Sequence, residues 1–204
     1  SGGDANQWKR QLCRLGGAST RLLEAMATNT KRLCTEYVDP ATLEAFLANR
    51  CIPLDKNPGT RPIGIGEIMR RIIGKAALKI LKPDIIEAAG PTQTCAGQAG
   101  GGEAVIHAMT HLFEADESDG LLLVDASNAF NTQNRKVMLH NIRFICPPFS
   151  ILIINIYRNG ARLFVTGGIE LSSDEGVTQG CPLAMPAFGL GVKPLIDQLQ
   201  REER

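Results

Sequence analysis

An α+β fold follows from three features of the sequence. Apolar residues recur at helical spacing through the first fifty positions, and residues 51–66 read as two short extended runs broken by Pro and Gly. Beyond them, strand-like apolar runs alternate with helical patterns.

The helical start comprises "ANQWKRQLCRL", "STRLLEAMATNTKRLCTEYV" and "DPATLEAFLANR". In the last of these, Asp39 suits an N-cap and Pro40 the first helical position, where a missing N–H costs nothing. The stretch "CIPLDKNPGTRPIGIG" predicts two extended segments around a turn at Asn57–Thr60. A basic amphipathic helix, "EIMRRIIGKAALKIL", is expected to end before Pro83. An uncharged Gly-rich loop over 89–102 leads into the helix "EAVIHAMTHLFE", whose Val105, Ala108, Met109 and Leu112 share one face and are expected to be buried. The acidic turn "ADESDG" precedes "LLLVDASNAF", read as a buried strand ending at Asp125. Two helices, "NRKVMLHNIRF" and "FSILIINIYR", come next. "ARLFVTGGIELSS" has the Gly-Gly of a hairpin, "DEGVTQGCP" is a loop, and "LAMPAFGLGVKPLIDQLQ" is a last helix broken near Pro186. No internal repeat is present.

The chain of 204 residues, 44% hydrophobic and 21% charged, is long enough to bury a core and has the composition of an ordinary folded domain. No apolar run approaches the roughly 20 residues that cross a bilayer, and no signal segment directs the chain to secretion. The six cysteines (Cys13, Cys34, Cys51, Cys95, Cys146, Cys181) form no Cys-x-x-Cys pair, which points to free, mostly buried thiols in a reducing compartment. The net charge of +1 hides a gradient: eight Lys or Arg against three acids over residues 50–85, then eight against thirteen over 86–204. Such asymmetry suits a protein that grips phosphates with one part and cations with another. The chain opens at Ser1 and closes on "REER" directly after an apolar helical pattern, and so reads as a piece of something longer.

Asp125 is the residue that most needs a role. An acid at a strand end, followed by the small Ala126 and Ser127, lets a ligand approach the backbone closely. A phosphoryl-accepting Asp would want a second Asp two residues on, where Ser127 stands, and a dinucleotide-binding acid would need a Gly-x-Gly-x-x-Gly turn, of which "GIGEIMRR" keeps two glycines. "HAMTH" sets His107 and His111 four apart, but no glutamate follows the first His and no third ligand lies downstream, so a polar helix face accounts for both.

Three motifs in order give a coherent alternative. "PLDKNPGTRPIGI", the apolar-Asp-x-x-x-Ala-Phe of residues 121–130, and "GVTQGCPL" together resemble the reverse transcriptase of non-long-terminal-repeat retrotransposons, over residues 51 to about 200. The resemblance implies a polymerase right-hand fold with palm strands packed on helices. A helical N-terminal extension would cover 1–50, a fingers-like region 51–120 and a partial palm 121–204. It implies RNA-directed DNA polymerase activity, with an RNA template, a DNA primer and deoxynucleoside triphosphates as partners and two Mg²⁺ ions as cofactors. No membrane is involved.

By the same resemblance, Asp125 matches the first metal-binding aspartate, with the carbonyl of Ala126 as a second ligand. In two-metal nucleotidyl transfer, carboxylates hold ions that activate the primer 3′-hydroxyl and neutralise the leaving pyrophosphate. Phe130 matches the aromatic under the incoming sugar, where a ring excludes a 2′-hydroxyl. Lys56 and Arg61 match the cations that close on the triphosphate, a task to which guanidinium is suited. Gln179 and Gly180 match the motif at the nascent base pair and template. Arg70, Arg71, Lys75 and Lys79 form a basic stripe for template phosphates. One element of the family is missing: no aromatic-x-Asp-Asp stands between Leu183 and Arg204. The expectation is therefore a polymerase fold that stops within its active site and is inactive as it stands. Two other functions remain open, a non-catalytic nucleic-acid-binding remnant and a Mg²⁺-dependent phosphotransferase built on Asp125.

Overall fold

Ser19 accepts a hydrogen bond from the Leu22 amide and starts helix α1, Thr20–Thr35. Asp39 does the same for Ala41 ahead of α2, Pro40–Leu47, with Pro40 in the first turn as the sequence predicts. The computed structural model describes residues 19–94, 96–115 and 120–202, together with Gln7, Arg10 and Arg14. The helix expected over 5–15 and the acidic turn at 115–120 fall largely outside these residues, as do Cys13 and Cys95.

The two extended runs form an antiparallel hairpin, β1 (Asn49–Asp55) and β2 (Thr60–Gly66), with Leu54 opposite Arg61. Helix α3, Ile68–Ala89, follows, and α4, Gly101–Glu114, comes after the Gly-rich loop. Past Asp125 lie the single turn α5 (Ala129–Thr132), then α6 (Arg135–Ile145) and α7 (Pro147–Tyr157). The second hairpin, β3 (Ala161–Val165) and β4 (Glu170–Ser173), turns through Gly167 and Gly168, both at positive φ. Helix α8, Ala184–Glu202, ends the described chain. The strands join in one mixed sheet of order β2-β1-β3-β4, with β1 parallel to β3.

The core lies between α6, α7, α8 and one side of α3. Met138, Ile142, Phe149, Leu152, Ile153, Leu183 and Leu190 are fully buried there. Asn155 ties α1 to this core, donating to the Leu33 and Glu36 carbonyls and accepting from the Val38 amide. The helices expected at 134–144 and 149–158 form as α6 and α7 with ends shifted by one or two residues, and both hairpins and the α+β class are as the sequence predicts.

Four expectations are corrected. Residues 121–125 are not a strand: no described strand pairs with them, and Leu122, Leu123 and Val124 are each at least 80% exposed. Helix α4 turns Val105, Ala108, Met109 and Leu112 to solvent, because no described element covers that face. Helix α3 continues through Pro83, which removes one amide but leaves Ile85 and Ala89 to be buried on the core side. Helix α8 is not broken at Pro186, which sits in its first turn, where amides lack partners in any case. Cys34, Cys51, Cys146 and Cys181 are free thiols as expected, and burial raises the thiol pKa of the first three. Among the described residues no helix is long and apolar enough to cross a membrane.

Candidate functional site

An open cleft of about 530 Å³ lies where the first hairpin, the α5 turn and the loop before α8 meet. Lys56, Arg61, Asp125, Ala126, Phe130, Gln179 and Gly180 all line it, with Cys181 and Met185 on the α8 side. These seven residues come from three separate stretches of chain.

Local chemistry sets each arm. The Lys56 amide donates to the Gly59 carbonyl at 2.9 Å and closes the hairpin turn, which leaves the Lys56 side chain exposed at its tip. Arg61, in extended conformation ahead of Pro62, projects from β2 on the same side as Ile63, which also lines the cleft. On the second arm Asn128, at φ 50°, bends the chain from Asp125 into the α5 turn. Asp125 and Ala126 are exposed, whereas Phe130 is half-buried and stacks on Phe188 of α8, with centroids 4.7 Å apart and planes at 18°.

The third arm is locked to the other two. The Val177 amide donates to the Phe130 carbonyl at 2.6 Å, and the Gly176 amide to the Gln133 carbonyl at 2.8 Å. On the far side, the Gly64 amide of β2 donates to the Gln179 carbonyl at 2.9 Å. Close approach requires glycine at two of these points. A Cβ on Gly176 (φ +60°) would meet the Phe130 carbonyl oxygen at 2.2 Å, and one on Gly180 (φ +97°) would meet the Gly64 carbonyl oxygen at 2.8 Å.

Arg70 is not on this surface, nor on any other. It is 3% exposed, and its guanidinium donates to the Leu47 carbonyl at 2.9 Å and to Asn49 Oδ1 at 2.5 Å. It therefore ties the end of α2 to the start of β1, and the expected phosphate contact is corrected to a structural one. Arg71, Lys75 and Lys79 remain at the surface, Arg71 partly covered, and Lys82 continues their line at helical spacing. His107 and His111 are exposed on α4, and no cluster of metal-ligating side chains occurs among the described residues.

Sequence reasoning missed Arg135 and Tyr157. Arg135 is buried at the start of α6, with its guanidinium over the Tyr157 ring at 5.6 Å. Burial pulls its pKa down against the pull of Tyr157, Glu175 and Asp174. Tyr157 is buried beside Cys181, which lines the cleft, and burial pushes its phenol well above the ordinary range. No local pattern marks either residue, since the hydrogen-bond partners of Arg135 are 24 to 41 positions away.

A second cleft, of about 400 Å³, is lined by Pro62 and Gly64, the neighbours of Arg61 and Ile63 that face the other way along β2, and it shares only Gln179 with the first. Its charged lining is acidic, Asp174 and Glu175. The first cleft thus presents two cations and one carboxylate on a mostly uncharged floor, an arrangement that can hold a polyanion at its mouth and a flat or sugar-like group beside Phe130. Comparison with known proteins finds no matching family model and no matching curated protein.

Proposed function

We propose that the first cleft is the deoxynucleotide site of an RNA-directed DNA polymerase of the retrotransposon type, with an RNA template and a DNA primer as nucleic-acid partners. One observation carries the reading. The seven residues that the three motifs single out for metal, nucleotide and base-pair contacts line a single cleft, although they span positions 56 to 180.

In this reading Arg61 and Lys56 neutralise the triphosphate, with the Arg61 fork taking two oxygens at once. The Phe130 ring lies under the sugar and is held there by Phe188. Gln179 and Gly180 bring backbone and amide up to the base pair. Mg²⁺ bound here would lower the pKa of the attacking hydroxyl and offset charge on the pyrophosphate. The Asp125 carboxylate and the Ala126 carbonyl suit one such ion, completed by phosphate oxygens and water. Asp125 is the single carboxylate among the described residues lining the cleft, so a clamp on two ions needs another one. That favours, as a second reading, a nucleic-acid-binding remnant that keeps the nucleotide site without turnover. A phosphotransferase centred on Asp125 gives no role to Arg61 or Gln179, which line the same cleft.

The test is calorimetric titration of the chain with a deoxynucleoside triphosphate, with and without Mg²⁺, followed by primer extension on a primed RNA template. Mg²⁺-dependent binding that is lost in Asp125→Ala is expected, without extension. Extension abolished by Asp125→Ala would make the chain catalytic in its own right. Nucleotide binding indifferent to both Mg²⁺ and Asp125 would sink the proposal.

A further inference from the structure

The guanidinium of Arg135 makes an unusual set of contacts. Its Nε donates to the Gly176 carbonyl at 3.0 Å, one terminal nitrogen to the Ser173 carbonyl at 2.7 Å and the Asn159 carbonyl at 3.4 Å, and the other to the Glu175 carbonyl at 2.8 Å and Ser173 Oγ at 3.1 Å. The Glu175 carboxylate is engaged elsewhere, accepting from the Arg135 backbone amide at 2.9 Å. The guanidinium is therefore held by an array of carbonyl dipoles and not by a carboxylate fork. Only the planar, five-donor geometry of Arg satisfies it, since an ammonium has three donors on a point charge.

Four of these five acceptors lie in residues 173–176, which run straight into Val177, Thr178, Gln179 and Gly180. Arg135 itself follows the α5 turn that carries Phe130. We infer that Arg135 is the positioning residue of the cleft: it sets Gln179 and Gly180 in register with Phe130 and, through the Gly64 amide, with the strand that carries Arg61. The consequence for nucleotide affinity rests on the function proposed above, whereas the geometric claim does not.

Two measurements on the whole chain test it. Arg135→Lys keeps the charge and loses the fork, and Ser173→Ala removes one acceptor as a milder case should the first fail to fold. Asn155→Ala is the control, because Asn155 is an equally buried pin that joins α1 to α7. In hydrogen exchange, the Val177 and Gly64 amides should exchange about ten-fold faster in Arg135→Lys, and less so in Ser173→Ala, while core amides of α7 hold. They should be unmoved in Asn155→Ala. Unchanged exchange at both amides in the Arg135 and Ser173 variants, or equal acceleration in Asn155→Ala, overturns the assignment. In titration with Mg²⁺ and deoxynucleotide, Arg135→Lys should weaken binding about ten-fold and Asn155→Ala less than about two-fold. Equal losses would reduce Arg135 to general stability. Should the parent chain bind no nucleotide, the proposed function fails, and the exchange result alone decides whether Arg135 positions the loop.

Discussion

In the proposed nucleotide site, Arg61 and Phe130, which line one cleft, would make separable demands on the same ligand. Arg61 is exposed on β2, so replacing it leaves the fold intact and removes only what it binds. A charge-assisted phosphate contact contributes on the order of 1.5 to 3 kcal/mol, and Arg61→Ala should weaken deoxynucleotide binding about ten-fold or more. Oligonucleotide affinity should change much less. A uniform loss of oligonucleotide affinity instead would move Arg61 to the template track. Phe130→Val should leave deoxynucleotide binding within a few-fold and improve ribonucleotide binding, measured as a ratio of dissociation constants; an unchanged ratio returns Phe130 to ordinary core. Tyr157 makes a prediction about pH. Its phenol is raised by burial, so its contribution to stability is complete below the unfolded value of roughly 10. That contribution falls as pH climbs from there toward the folded value. The tyrosinate absorbance that Tyr157 contributes should appear only with alkaline unfolding, and Tyr157→Phe should remove that phase. Absorbance appearing from Tyr157 in the folded chain would contradict its burial.

Helix α3 shows where a sequence pattern informs and where it misleads. Its basic residues do recur at helical spacing, but Arg70 leaves the stripe because two acceptors far away in the chain, the Leu47 carbonyl and Asn49 Oδ1, lie on its other side. Gly66 makes room for it: a Cβ there would stand 2.1 Å from a guanidinium nitrogen. Arg70→Ala should therefore lower stability by about 1 to 3 kcal/mol, as buried acceptors lose their partner, without altering nucleic-acid affinity. The double change Lys75→Ala with Lys79→Ala should do the reverse and reduce the salt slope of oligonucleotide binding by about 2. A thermal melt and a salt titration on each variant separate the two. Caps and turns were legible for local reasons: Asp39–Pro40, the Pro-Gly turn at 58–59 and Gly167–Gly168 each satisfy backbone geometry within a few residues. The contents of the cleft were legible through motif order. The Arg135 array was not, because carbonyl acceptors carry no residue identity that a sequence could display.

At the scale of the whole molecule, one apolar run has no place in the described core. Leu122, Leu123 and Val124 are exposed in a segment that has no strand partner among the described residues, and Ile106 and Phe113 of α4 are at least 60% exposed. The sequence read that run as a buried strand because length and hydrophobicity report how apolar a segment is, not what lies beside it. A contiguous exposed apolar run of this kind favours association with another chain. The chain should therefore self-associate as concentration rises, visible in sedimentation velocity as a concentration-dependent loss of monomer. Leu122→Lys combined with Val124→Lys interrupts the apolar run with charge and should restore monomer. Neither side chain belongs to the core, so the melting temperature should move by less than about 4 °C, the shift expected for roughly 1 kcal/mol in a chain of this size. A larger fall would mean that the segment packs against the core in solution. A parent chain that stays monomeric throughout would mean that its exposed face has no tendency to pair.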